Sequence, residues 1–169
     1  MRVPVLLRVI HNRRDPCYNP AMSQQTLYDI VASRLNTRED LNCAETMVYA
    51  ANQAYNLGLP HSALKLAAGF GGGMGVDSTC GVLTGASMVF SAMFVRRRGH
   101  ESERVKQLNA EFFERMRGIL GHIDCAPIKQ RWRDETDGCL PVMLEAARVL
   151  QQIIDRERTA DAATPTTAR

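Results

Sequence analysis

The sequence predicts an all-α protein, a compact multi-helix bundle closed around one central apolar helix. Three observations lead there. Apolar residues recur at helical spacing in one segment after another. Aromatics make up only 6% of the chain while Ala, Leu, Met and Val are plentiful, which favours close helix packing over sheet surfaces. No alternation of strand and helix points to a dinucleotide-binding sheet. The 169 residues suit one domain with a single core, and 45% apolar against 23% charged residues is a globular balance.

Residues 1–21 stand apart from this pattern. An apolar run at 3–10 is interrupted by Arg8, and its arginines follow it where a secretory signal would place them ahead. The segment reads as a flexible arm or start-site extension, with an added strand as the alternative. Cys17 within it is a bystander. A first helix is predicted over 24–36, on a stripe of Leu27, Ile30, Val31 and Leu35. The second starts at Cys43, where Asn42 caps and Glu45 completes a capping box, and it ends by Gly58 and Pro60.

Residues 62–68 form a short helix stopped by Gly69, Gly71, Gly72, Gly73 and Gly75. Ser78 or Thr79 then caps the central helix over 80–95, which is too short and too rich in Gly and Ser to cross a bilayer. A long surface helix follows over 101–120, with Val105, Leu108, Phe112, Met116 and Ile119 on its buried face. Asp124 is the expected cap of a short helix from Cys125. Asp137 is the expected cap of the last helix, with Cys139 at its second position and an end near 157. The helical domain therefore spans 22–158, and 159–169 is a small, polar, disordered tail.

Charge excludes one class of partner. Residues 1–21 carry four arginines and one aspartate, and without them 17 basic side chains face 17 acidic ones. No basic footprint for nucleic acid remains. With no export signal and no spanning segment, a cytoplasmic location and a reducing environment are expected. There, metal or redox roles outweigh permanent disulfides.

The chemistry of the chain rests on Cys43, Cys80, Cys125 and Cys139, each within the first two positions of a predicted helix. Free amides and aligned backbone dipoles at that position favour a thiolate. Four such placements in one small domain make a coherent arrangement for reactive thiolates or for ligands of a thiophilic metal or iron-sulfur cluster. The bland alternative is four small hydrophobes packed in a core. Separations of 37, 45 and 14 residues match no close-spaced zinc or iron-sulfur motif, so spacing announces no metal.

The run of residues 69–75 is neither a phosphate-binding loop nor a dinucleotide fingerprint. Gly71, Gly72, Gly73 and Gly75 permit a nest for a cofactor, a flexible lid, a tight backbone crossing over the cysteines or a plain turn. Gly81 and Gly85 inside the next helix permit close approach of a neighbouring helix or of a bound group. Cys80, at the start of the most buried helix and ringed by glycines, is the expected central reactive residue. His122, three residues before Cys125, is a weaker candidate base or ligand.

These residues resemble a family of small redox-active proteins with four characteristic cysteines and a Cys-Gly-Ala-x-x-Gly motif, the C-GCAxxG-C-C type. The likeness runs through 42–45, the glycine run, and Cys80-Gly81-Val82-Leu83-Thr84-Gly85, and then Cys125 and Cys139. Val82 replaces the alanine of the motif, a modest gain in volume that removes no reactive group. The resemblance covers about 24–155. It implies a redox protein whose partner is an oxidoreductase or a transporter component, with no substrate attached.

Three functions compete at this point. One is thiol/disulfide exchange or iron-sulfur or metal-centred electron transfer through four converging cysteines. Another is a structural metal site, most simply zinc held by four thiolates. The last is a non-enzymatic helical adaptor or homodimer with inert, packed cysteines.

Overall fold

The computed structural model describes residues 25–101 and 103–163, so the arm at 1–21 with Cys17 and the end of the tail lie outside the described residues. Within them the chain is all-helical, with two isolated antiparallel bridges and no strand. The first expected helix is two. Helix α1 (Leu27–Ala32) ends where Ser33 Oγ donates to the Ile30 carbonyl at 2.7 Å, and Arg34 then takes a left-handed φ of 60°. This bend starts α2 (Leu35–Arg38) in a new direction and keeps Leu35 in the core.

Helix α3 (Cys43–Ala54) begins with the expected capping box. Asn42 Oδ1 accepts from the Ala44 and Glu45 amides at 3.0 and 3.1 Å, and Glu45 Oε2 accepts from the Asn42 amide at 3.1 Å. Asn42 Nδ2 also donates to the Ala68 carbonyl at 2.9 Å. The helix expected over 62–68 is accordingly one α-turn, α4 (His61–Leu64), followed by a tighter 3₁₀ segment (Lys65–Phe70) that brings this carbonyl to Asn42.

The central helix α5 (Gly81–Phe94) buries Val82, Leu83, Ala86, Val89 and Phe90, and packs on α3, on α6 (Arg104–Leu120) and on α8 (Leu140–Ala163). Phe90 meets Phe112 of α6 edge to face at 5.9 Å. Neither Ser78 nor Thr79 caps α5. Cys80 is itself the N-cap residue, because Thr79 is drawn into a bridge with Asp124, and the Cys80 amide donates to the Ile123 carbonyl at 2.8 Å. Asp124 is the N-cap residue of α7 (Cys125–Trp132), as expected, but its side chain accepts no hydrogen bond from the helix amides. Asp137 does not cap α8; it pairs with Arg34 at 2.7 Å, and Cys139 takes the N-cap place, its carbonyl accepting from Met143. Helix α8 continues to Ala163, so 159–163 are helical and not tail. Arg104 supports the extension through ion pairs to Glu157 and Asp161 at 2.9 and 3.0 Å.

The most extensive pairing is α3 on α5, and two glycines make it close. A Cβ on Gly85 would lie 2.7 Å from the Ala44 carbonyl oxygen and 3.0 Å from Ala44 Cα. One on Gly81 would lie 3.1 Å from Cys43 Cβ. The spacing of four residues puts both glycines on one face of α5. A strained methyl there costs roughly 1–3 kcal/mol, partly offset by about 1 kcal/mol of helix propensity gained over glycine. Gly85→Ala is therefore expected to destabilise the protein by about 1–2 kcal/mol in urea unfolding. An unchanged midpoint would contradict this helix spacing.

Candidate functional site

All four sequence-predicted cysteines line one cavity of about 290 Å³. Each arrives on a different helix start. Cys43 and Cys125 open α3 and α7, and Cys80 and Cys139 are the N-cap residues of α5 and α8. Asn36, Asn42, Gly72, Lys129, Arg133 and Asp137 share the lining with a few apolar side chains.

Three local devices converge on the cavity. The Thr79–Asp124 bridge makes Cys80 and Cys125 diagonal neighbours on one face, with the Cys125 amide donating to the Ser78 carbonyl at 2.6 Å. The glycine run crosses this bridge tightly. Gly73, with φ of 61°, would place a Cβ 2.5 Å from the Ser78 carbonyl oxygen and 2.9 Å from Cys125 Cβ, so a side chain there is both strained and obstructed. Finally, a turn closed by the Asp134–Gly138 bridge delivers Cys139, with Asp134 Oδ1 accepting from the Thr136 and Asp137 amides at 2.7 and 2.8 Å.

Among the six glycines predicted to touch a cofactor, only Gly72 lines the cavity. Gly81 and Gly85 face α3, Gly71 lies against the Asn42 side chain, and Gly73 against Ser78 and Cys125. Gly75 has open space where its Cβ would be. Their role is to bring the cysteine-bearing backbones together. His122 is exposed and outside the cavity lining.

The thiols fall into two pairs with unlike electrostatics. The Cys43 side chain is hydrogen-bonded to Cys139, which holds the Cys139 thiol well below its ordinary range; Arg133 and Lys129 lower it further against the opposing effect of burial. Cys43 is pushed strongly up, first by donating to Cys139 and then by burial. Within this pair negative charge is favoured on Cys139 and disfavoured on Cys43. In the other pair, burial pushes Cys80 up to about 11, and its contact with Cys125 adds to this. Burial also raises Cys125, which is hydrogen-bonded to Asp77; Lys129 opposes the rise. Asp77 is itself held by Lys129 Nζ at 2.6 Å.

The electrostatics of the cavity bear on two of the sequence expectations. Helix-start amides do not lower all four thiols: the interaction with Cys139 and then burial raise Cys43, and burial raises Cys80 and Cys125. Cys80, the expected reactive centre, is 3% exposed and held protonated, whereas half-buried Cys139 carries the anionic character. Lys129 and Arg133 are cavity residues beyond the cysteines and glycines expected from the sequence. They follow Cys125 at four and eight residues, on the same face of α7, and that spacing was the available signal.

A family model described as "Putative redox-active protein (C_GCAxxG_C_C)" matches residues 41–153 of the chain. No curated protein and no solved structure matches it.

The pairing predicts a pH signature. Removing the Cys43 donor destabilises the Cys139 thiolate, so in Cys43→Ala the Cys139 pKa moves up toward the free-thiol value of about 8.5. The rate of iodoacetamide alkylation at Cys139, followed against pH by peptide mass, reads this directly. Superimposable profiles for the two proteins would remove Cys43 as the donor.

Proposed function

The chain belongs to this redox-active family, and from that premise we propose that it is a thiol–disulfide exchange protein whose working pair is Cys139 and Cys43. The observation carrying this reading is that four cysteines from four helix starts line one cavity, in which Cys43, Arg133 and Lys129 all favour the anionic form of Cys139. The attacking sulfur must be ionised, and a second thiol beside it resolves the mixed disulfide. Cys139 supplies the first and Cys43 the second. Cys80 and Cys125 form a buried reserve pair, slower to react because both stay protonated. Together the two pairs store four electrons. The partner class is an oxidoreductase or a transporter component, and a cytoplasmic setting keeps the thiols reduced between turnovers.

A four-thiol donor set also suits a thiophilic metal or an iron-sulfur cluster. Among the described residues, however, no three Cys, His, Asp or Glu side chains are grouped as ligands of one ion. The exchange reading needs no such centre, and no step passes through one.

Anaerobically reduced protein treated with stoichiometric diamide is expected to lose about two protons of mass per disulfide. Peptide mapping should find Cys43–Cys139 as the first bond, absent in Cys139→Ser. Exclusive formation of other pairs overturns the assignment. Stoichiometric iron with acid-labile sulfide, released on substitution of any of the four cysteines, replaces it with the cluster reading.

A further inference from the structure

The charges around the cavity do not cancel evenly. Lys129 is held by Asp77 at 2.6 Å, and Asp137 by Arg34 at 2.7 Å. Arg133 lines the same cavity from the end of α7 and makes no ion pair with a carboxylate among the described residues. Its guanidinium acts on Cys139 at that side. The remaining lining is mostly thiol and apolar, with Leu41, Ile128 and Met143 among it. A volume of about 290 Å³ lies near the lower end of small-molecule sites, which run from roughly 300 Å³ upward. A forked, permanently charged donor above a thiol-lined cleft of that size recognises a carboxylate on a compact molecule.

We propose that Arg133 is the recognition residue for a small disulfide bearing carboxylates, and that this disulfide is the oxidant of Cys139 and Cys43. The inference rests on the thiol-exchange reading and adds a substrate class to it. Cys139 Sγ, as thiolate, attacks one sulfur of R–S–S–R; the sulfur–sulfur bond breaks, R–S⁻ leaves and a mixed disulfide Cys139–S–S–R forms. Cys43 then loses its proton and attacks Cys139 Sγ, releasing the second R–S⁻. The proton from Cys43 ends on one of the two leaving thiolates. The protein gives up two electrons in closing Cys43–Cys139, and the small disulfide takes up two in becoming R–S⁻ and R–SH. Attack also removes the negative charge from Cys139, leaving the guanidinium free to hold the anionic end of the departing half.

Three disulfides of similar length separate charge from size: 3,3′-dithiodipropionate as a dianion, bis(2-hydroxyethyl) disulfide as a neutral probe, and cystamine as a dication. Each is reacted anaerobically with the reduced full chain, with Arg133→Ala and with Arg133→Glu. Rates are divided by the rate of iodoacetamide alkylation at Cys139, so any change in thiolate fraction drops out. The same ratios are taken for a free thiol to remove intrinsic reactivity. The wild type should favour the dianion over the neutral probe by about tenfold, with the preference shrinking as salt rises. Arg133→Ala should bring the two within about twofold, and Arg133→Glu should reverse the order in favour of cystamine. If the wild type forms Cys43–Cys139 without preference, or if Arg133→Ala slows all three probes equally, Arg133 only tunes the thiol and the recognition proposal falls while the exchange reading stands. If none of the three yields a Cys43–Cys139 disulfide, the exchange reading falls and takes this inference with it.

Discussion

The site depends on how closely α3 and α5 approach. Gly85 lies against the Ala44 backbone and Gly81 against Cys43 Cβ, with no room for side chains between. That contact places the start of α3 beside the start of α5, and so brings Cys43 into the cavity that Cys80 lines. The Asn42 cap extends the same junction, since it holds the α3 amides on one side and the Ala68 carbonyl on the other. Packing and site are therefore one construction here. The glycines of the cysteine motif serve the chemistry by what they let the backbone do.

The unequal thiols follow from two opposing effects. Burial disfavours charge on any sulfur, while cations and donors favour it. Cys80 lies deep and receives little compensation beyond the Val82 amide, so burial wins. Cys139 stands less buried, on a turn, where Cys43, Arg133 and Lys129 all favour the anion. Lys129 is shared between Asp77 and the thiols, which ties the glycine-rich crossing electrically to α7. One small cavity thereby favours charge on one sulfur and disfavours it on its neighbours.

Much of this was legible in the sequence. The Asn42–Glu45 capping box, the buried stripe of α6 and the central placement of the helix after Cys80 all follow from local spacing, and the structure contains each. The four cysteines stood out because each began a helix. What local spacing does not carry is long-range competition. Asp137 has the right identity and position for a cap, yet an ion pair to Arg34 claims it. The break at Arg34 uses a left-handed residue that is not glycine, so nothing in the chain marks it. The ranking of the thiols depends on depth and on cations from α7, and neither is a property of the cysteines' own neighbours.

The turn that delivers Cys139 has a consequence for the newly made chain. Cys43 and Cys139 are 96 residues apart in sequence, and the groups that acidify Cys139 sit on two other segments. The extended full-length polypeptide therefore has five ordinary thiols and no unusually nucleophilic one. The reactive sulfur comes into being only when the Asp134–Gly138 turn docks between α7 and the start of α3. On the exchange reading, sulfur nucleophilicity is therefore a product of tertiary closure. By the same logic, fast alkylation of one cysteine at neutral pH reports that the bundle has closed.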